Sequence, residues 1–171
     1  PRSRFTLHID HHLPNSEVSV RVETDAPVVA ERAMYFDYYG KSDGSCAMGA
    51  PETSSKWFLS EGYTGGGFDE YVLVGNPGVE PARVRFDFMT REGFAGDAFF
   101  DLPPGSRFTL RVDERFPSDE VSVIVEETGG KGVVVERAMY FDYKGRRGGH
   151  AAMGVSRPST DWYFAEGYTG T

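Results

Sequence analysis

Four glutamates stand in two repeated sequence contexts that could support acid–base chemistry. Glu61 and Glu166 each begin the tetrapeptide EGYT, and Glu31 and Glu136 each begin the octapeptide ERAMYFDY. A glycoside hydrolase needs two such carboxyl groups, one a proton donor with a raised pKa and the other a base or nucleophile. One hypothesis is therefore a glycan hydrolase that uses Glu61 with Glu136, or their copies. The alternative is a structural role, in which each glutamate accepts backbone hydrogen bonds or pairs with an arginine.

Aromatic side chains near these acids suggest a second function, carbohydrate binding. They come as three equivalent pairs that could stack on sugar rings: Tyr35 and Tyr140, Trp57 and Trp162, Tyr63 and Tyr168. Such residues more often fill the core of a β-sandwich. Strand alternation places Tyr35 on the same face as Glu31 and Asp37, so Tyr35 is the better surface candidate.

Metal and thiol chemistry have weaker support. The histidines His8, His11, His12 and His150 correspond to Arg111, Glu114, Arg115 and Ser45 in the other copy of the repeat. A metal site built on them would not recur, and His11 with His12 would need help from a residue such as Asp10. Calcium is possible at acids near predicted strand ends: Asp37, Asp43, Asp69, Glu70 and Asp142. Cys46 is the single cysteine, which excludes an intramolecular disulfide. We predict no other cofactor.

The acids and aromatics recur because the chain repeats itself. SRFTL begins at Ser3 and again at Ser106, an offset of 103 residues, whereas ERAMYFDY and EGYT return at an offset of 105. The difference falls at the glycine-rich segment 129–132, where a turn tolerates an insertion. Residues 68–105 occur once. A period of about 105 residues suits a small β-sandwich domain.

Two organisations fit this order of repeated and unique segments. In the favoured one, the chain is a piece of a tandem array: residues 1–56 are the back part of one module, 57–155 a complete module, and 156–171 the first strand of the next. In the other, the chain is one domain with two similar lobes, and 156–171 completes the first lobe. Both predict that residues 3–64 and 106–169 superpose. Unpaired strand edges in residues 1–56 predict homo-oligomerisation, or packing against the strand 161–169.

Alternation of apolar and polar residues is the dominant local pattern and predicts an all-β fold. Half-buried strands are expected at 5–9, 17–23, 83–88 and 107–112. Further strands are expected at 28–38, 56–61, 70–74, 98–102, 133–143 and 161–166. The glycines at 65–67 and 148–149 indicate flexible connections.

Charge and hydropathy limit the classes of partner. The formal net charge is −8 and the isoelectric point about 5.0, which argues against binding to nucleic acid or to an anionic membrane surface. The sequence has no apolar run of the length that a transmembrane helix needs, so membrane insertion is not expected.

The motif WYFAEGYT at residues 162–169, with GFDEY at 67–71 and NPG at 76–78, resembles a known bacterial repeat. This is the WYFAEG type of immunoglobulin-like module found in large secreted or cell-surface proteins of actinobacteria and related phyla. The first copy departs from the motif, with Phe58-Leu59-Ser60 where the second has Tyr163-Phe164-Ala165.

The resemblance implies an extracellular or cell-wall β-sandwich and supplies no catalytic residues. The leading prediction is thus a non-catalytic structural or adhesive module, whose partner would be a polysaccharide or another surface component. A carbohydrate-binding module and a glycan hydrolase are the alternatives.

Two arginines interrupt apolar strand faces at equivalent positions. Arg32 lies on the face of Met34 and Phe36, and Arg137 is its copy. A buried arginine needs an acidic partner. We predict that Arg32 pairs with Glu61, and Arg137 with Glu166.

Overall fold

The computed structural model describes residues 3–170. Ten strands are formed in this range: β1 Glu31–Tyr38, β2 Lys41–Met48, β3 Lys56–Leu59, β4 Phe68–Asn76, β5 Ala82–Thr90, β6 Gly93–Leu102, β7 Ser106–Arg111, β8 Ser122–Glu127, β9 Val134–Tyr143 and β10 Arg146–Met153. Two 3₁₀ turns lie at Ile9–His11 and Val112–Glu114. No helix within residues 3–170 has the length and apolar character needed to cross a membrane. The expected all-β fold is confirmed.

Two antiparallel four-stranded sheets form a β-sandwich from the strands between Lys56 and Met153. The strand orders are β10-β9-β4-β7 and β3-β8-β5-β6. Alternate residues of each strand point inward, as in β5, where Val84, Phe86 and Phe88 are buried. These side chains join Trp57 and residues of the other sheet in one continuous core.

A separate hairpin, β1–β2, comes from the first copy of the repeat and corresponds to β9–β10 in the second copy. Each hairpin turns through two residues of positive φ: Tyr39 and Gly40 in the first, Lys144 and Gly145 in the second. Positive φ at both positions is typical of the type I′ turn, whose twist matches that of paired strands.

The prediction of a flexible connection at Gly148 and Gly149 was wrong, because both lie inside β10. Gly149 is opposite Tyr140, and a Cβ there would come within 2.8 Å of the Tyr140 ring. Gly44 is opposite Tyr35 in β2 in the same way. The glycines leave room for a tyrosine ring to lie across the neighbouring strand.

Three predicted strands are absent from the described part of the chain: residues 5–9, 17–23 and 161–166 are irregular and largely exposed. The prediction that the two copies superpose is therefore wrong outside the hairpins and the 3₁₀ turns. The physical reason is a shortage of partners. The equivalents of these segments in the sandwich are β7, β8 and β3. β7 pairs with β4, β8 pairs with β5, and β3 joins the sheet by pairing with β8. Both β4 and β5 lie in the segment that occurs once.

Truncation of Phe86 should test the core. The side chain is fully buried and meets the ring of Phe100 edge-on at 5.4 Å between ring centroids. Phe86→Ala is expected to lower the free energy of unfolding by about 3–5 kcal/mol. Phe99→Ala, on the exposed face of the adjacent strand β6, is the matched control and should change it by less than about 1 kcal/mol. Urea denaturation measures both. Equal effects would contradict this assignment of the core.

Candidate functional site

Strand β9 carries polar residues on both faces of its sheet. Glu136 and Arg137 are neighbours and so point to opposite sides. Arg137 faces the interior, where it belongs to a buried charge cluster with Glu61, Glu70 and Asp113. Glu136 lies on what we call the outer face, which the hairpin β1–β2 covers.

The buried charge cluster centres on the guanidinium of Arg137. Its Nη1 lies 2.7 Å from Oε2 of Glu61 and also donates to the carbonyl oxygen of Glu61. The Arg137 side chain is only 8% exposed, whereas that of Glu61 is 63% exposed. Glu61 thus reaches over the open end of the sandwich and neutralises an arginine that would be costly to bury alone.

Glu70 is the most unusual member of the cluster. It lies on β4 with 0% of its surface exposed, and no atom of the described residues forms a hydrogen bond with either carboxylate oxygen. Its backbone N–H donates to the carboxylate of Asp113 at 2.8 Å. Burial raises the pKa of Glu70 to about 8, although the positive charge of Arg137 acts in the opposite direction. Burial also raises the pKa of Asp113. Glu70 is therefore largely neutral near pH 7.

Gly62 explains the glycine in the EGYT motif. A Cβ at this position would collide with the carboxyl group of Glu70 and with the carbonyl oxygen of Val121. The N–H of Val121 also donates to the carbonyl of Gly62 at 3.0 Å. Only glycine lets the backbone between β3 and β4 pass so close to a buried carboxyl group.

The outer face receives the hairpin through ion pairs at both ends. Arg32 of β1 bonds to Glu136 at 2.8 Å. Lys41 of β2 bonds to Asp69 of β4 at 2.5 Å, and Asp69 also bonds to Arg111 at 2.7 Å. These contacts fix the direction in which the hairpin crosses the sheet.

Aromatic rings fill the space between the ion pairs. Tyr38 stacks on Tyr140 with 4.3 Å between ring centroids, and its hydroxyl lies 2.5 Å from that of Tyr71. Phe36 meets Tyr140 edge-on at 5.0 Å. Offset stacking and edge-on contacts are the favourable geometries for aromatic pairs.

Side chains of β2 also cap the edge of the sandwich. Ser45 Oγ accepts a hydrogen bond from the N–H of Ala151 at 2.9 Å, and Asp43 accepts one from the N–H of Gly149 at 3.3 Å. The edge strand β10 would otherwise present these donors for pairing with another chain.

The predicted acids do not form a catalytic pair. Glu61 and Glu136 are held on opposite sides of one sheet by Arg137 and Arg32, and Glu31 and Glu166 are exposed. The predicted partners of the two arginines were wrong. Arg137 pairs with Glu61 of its own sandwich, and Arg32 pairs with Glu136.

The predicted ligand-binding aromatics do not form one platform. Trp57 is buried and its indole N–H donates to the carbonyl of Val133 at 2.9 Å. Tyr63 packs on Phe68, with 5.2 Å between ring centroids, and Tyr140 lies under the hairpin. The exposed members are Tyr35, Trp162 and Tyr168.

Four of the five candidate calcium ligands are engaged in other contacts: Asp69 with two basic side chains, Asp142 with Arg147 at 2.8 Å, Asp43 with the N–H of Gly149, and Asp37 with the N–H of Gly40 at 3.1 Å. The fifth, Glu70, is completely buried. Ligand atoms of His8, Asp10 and His11 lie within 4.8 Å of one another. All three residues are exposed, and such exposed groups are common without a bound ion.

The sequence analysis identified Arg137 as a buried cation, but it missed the burial of Glu70 beside it and the contact between Tyr38 and Tyr71, although a signal for Glu70 was present. Alternation places Glu70 on the face of Val72 and Val74, which marks it as a carboxyl group on a buried face. Tyr38 and Tyr71 carried no comparable signal, because their contact joins segments that are far apart in the chain.

No known family model matches the sequence, and no curated protein matches it. Among solved structures, the chain is similar to that of the Thermotoga maritima protein 1070, with 20% identity and a TM-score of 0.55 over 61% of this chain and 96% of that one. A second similar structure is the Anabaena sensory rhodopsin transducer, with 18% identity and a TM-score of 0.43 over 52% of this chain and 86% of that one. The first likeness supports the β-sandwich fold alone.

The two EGYT motifs provide a matched test of the ion pair between Arg137 and Glu61. Glu61→Gln weakens the contact with Arg137 and should lower the free energy of unfolding by about 1–3 kcal/mol. Glu166→Gln makes the same change in an exposed motif and should leave it within about 0.5 kcal/mol of the parent value. Thermal and urea unfolding measure both. If Glu166→Gln were the more destabilising change, the assignment of Glu61 as the partner would be wrong.

Glu70 should make stability depend on pH. Its pKa is about 8 in the folded protein, against 4.5 for the free side chain, so between these values the folded state holds a proton that the unfolded chain releases. The contribution of protonated Glu70 to the stability of the folded state is complete below about pH 4.5. It is lost as the pH rises through about 8.

Glu70→Gln removes the titrating group while keeping its shape. The variant should be more stable than the parent above about pH 8, by about 2–4 kcal/mol, and should approach the parent near pH 5. Urea unfolding across this pH range is the measurement, with the exposed Glu92→Gln as control. Parallel stability profiles for the parent and Glu70→Gln would show that Glu70 does not titrate in this way.

Proposed function

We propose that this chain is a non-catalytic structural module of a tandem-repeat protein, an immunoglobulin-like β-sandwich that acts by packing against protein. The observation that carries the proposal is the hairpin β1–β2 of one repeat copy lying across the outer face of the other. The interface combines the ion pairs of Arg32 and Lys41, the stacking of Tyr38 on Tyr140, and hydrogen bonds to the edge of β10. Together these contacts fix one relative orientation.

The state of the acidic residues supports a structural role over glycan hydrolysis. A hydrolase needs two carboxyl groups on either side of the bond to be broken, both reachable by the sugar. Glu61 and Glu136 are each bound to an arginine and lie on opposite sides of the sheet. Glu70 has the raised pKa of an acid catalyst, but its side chain is completely buried. A polysaccharide could not reach it without unfolding the end of the sandwich.

An extracellular or cell-wall location is part of the proposal and rests on the resemblance of residues 162–169 to the WYFAEG-type repeat. The tandem duplication belongs to the same proposal. It is supported by the identical ERAMYFDY segments, which form equivalent hairpins with equivalent turns.

Carbohydrate binding is the second candidate, favoured by Tyr35. Its ring is 86% exposed and lies across Gly44 of the neighbouring strand. An exposed flat ring is suited to stacking on a sugar. The equivalent ring, Tyr140, stacks on Tyr38 instead, so in this molecule that kind of surface is used for contact with protein.

Tyr38 and Tyr35 offer a matched pair of variants, because they lie on opposite faces of the same strand. Tyr38→Ala removes the stack on Tyr140 and should speed amide hydrogen exchange throughout β1 and β2 by roughly tenfold, the effect of losing about 1.4 kcal/mol of docking free energy. Tyr35→Ala should leave this exchange unchanged.

The same proteins should be screened against a panel of polysaccharides for binding and for release of reducing ends. The structural proposal expects neither. Binding that Tyr35→Ala abolishes would favour the carbohydrate-binding alternative, and release of reducing ends would favour a hydrolase. Unchanged exchange in Tyr38→Ala would contradict the docking role of the hairpin.

A further inference from the structure

Two exposed segments of this chain are equivalent to strands that pair with each other inside the sandwich. β3 pairs antiparallel with β8, with Trp57 opposite Val125 and Leu59 opposite Val123. The repeat places Trp162 and Phe164 at the positions of the β3 residues. It places Val22 and Val20 at the positions of the β8 residues.

The two segments are exposed although the same residue types are buried in the sandwich. Val20 and Val22 are 57% and 58% exposed, whereas Val123 and Val125 are fully buried. Trp162 is 52% exposed, against 5% for Trp57. Apolar side chains in alternation next to unpaired backbone groups are a template for strand pairing.

The C-terminal segment already has the local geometry that leads into β3. The indole N–H of Trp57 donates to the carbonyl of Ser54 at 3.2 Å, and that of Trp162 donates to the carbonyl of Ser159 at 3.1 Å. The Ser159 hydroxyl accepts a hydrogen bond from the N–H of Asp161 at 3.2 Å, as Ser54 does from Lys56. The turn that starts the strand is therefore formed before any partner strand is present, which lowers the entropy that pairing must overcome.

We propose that residues 161–164 of one chain pair antiparallel with residues 20–23 of a second copy of this chain, in the register of β3 on β8. The partner is a copy of the same sequence because Val20, Val22 and Glu23 are identical to their counterparts on β8, and Trp162 is identical to its counterpart on β3. The proposal rests on the equivalence of the repeat copies given under the proposed function, but not on the docking of the hairpin.

The register makes one contact unfavourable, and this gives a specific test. β3 and β8 are joined by an ion pair between Lys56 and Glu126 at 2.8 Å. At the equivalent positions the two chains would place Asp161 opposite Glu23, two like charges. Like charges directly opposite each other destabilise strand pairs. The association of the unaltered chain is therefore weaker than the β3–β8 contact implies, and a lysine at position 161 should strengthen it.

The proposed contact joins two different surfaces, one from each chain. A dimer formed through it therefore leaves one surface of each kind free unless the two chains pair reciprocally. Each chain offers one donor segment near its C-terminal end and one acceptor segment near its N-terminal end. Such heterologous contacts build rings when the rotation closes and open chains when it does not. The unaltered protein should thus form dimers first and larger species at higher concentration.

Sedimentation velocity of the full chain, from about 10 µM to about 1 mM, measures the association. We expect the mean mass to rise with concentration. Asp161→Lys should lower the dissociation constant roughly two- to fivefold, as expected for one favourable cross-strand pair. Glu92→Lys changes the net charge equally at an exposed turn and should leave the dissociation constant unchanged. A monomer at every concentration, or equal effects of the two lysine variants, would overturn the proposal.

Variants that block one segment each provide a complementation test. Val20→Glu removes the acceptor segment and Phe164→Glu removes the donor segment. Each variant alone should therefore associate only weakly. An equimolar mixture still contains one intact surface of each kind and should form a one-to-one dimer. Val79→Glu, at an exposed turn, is the control and should associate like the parent. All three positions are exposed, and circular dichroism verifies folding. Failure of the mixture to dimerise would overturn the assigned pairing, whereas loss of hairpin protection in Tyr38→Ala is independent of it.

Discussion

The guanidinium of Arg137 is the constraint on which the arrangement of this sandwich depends. A charge placed on an inward face must find an opposite charge or the sheet cannot close over it. Glu61 meets that requirement from the segment between β3 and β4, and in doing so brings Gly62 against Glu70. The position of this segment and the need for glycine at position 62 thus follow from a single buried cation, whereas the neutral state of Glu70 follows from its own burial.

In the first copy of the repeat, the equivalent arginine also needs a carboxylate partner, and it finds one outside the sandwich core. Arg32 has the same neighbours in sequence as Arg137 but has no Glu61 above it, because its hairpin lies outside the sandwich. It pairs instead with Glu136 on the outer face. Met34, Phe36 and Tyr38, on the same face of β1 as Arg32, also face another sheet. On β9, some of the corresponding residues do the same. The sequence of a hairpin therefore determines which of its faces must be covered, and the rest of the chain determines what covers it.

This distinction explains what could be predicted from the sequence. The sequence pattern located the strands β1, β5, β7 and β9, because these depend on local pattern. It failed for residues 17–23, whose pattern equals that of the strand around Val123, because strand formation requires partners that lie elsewhere. The need of Arg32 and Arg137 for carboxylates was recognised from their apolar neighbours. The identity of the carboxylates was not, because that depends on which segments the fold brings together.

The segment 68–105 affects how many sandwiches can be inferred from a count of repeated motifs. This segment contributes β4 to one sheet and β5 and β6 to the other, so it links the two layers, and no second segment like it occurs in the chain. The ERAMYFDY motif occurs twice in this chain, whereas residues 3–170 form one two-sheet sandwich. In any longer chain that repeated this pattern, the number of sandwiches should equal the number of linking segments. A count of the ERAMYFDY motif would overestimate it.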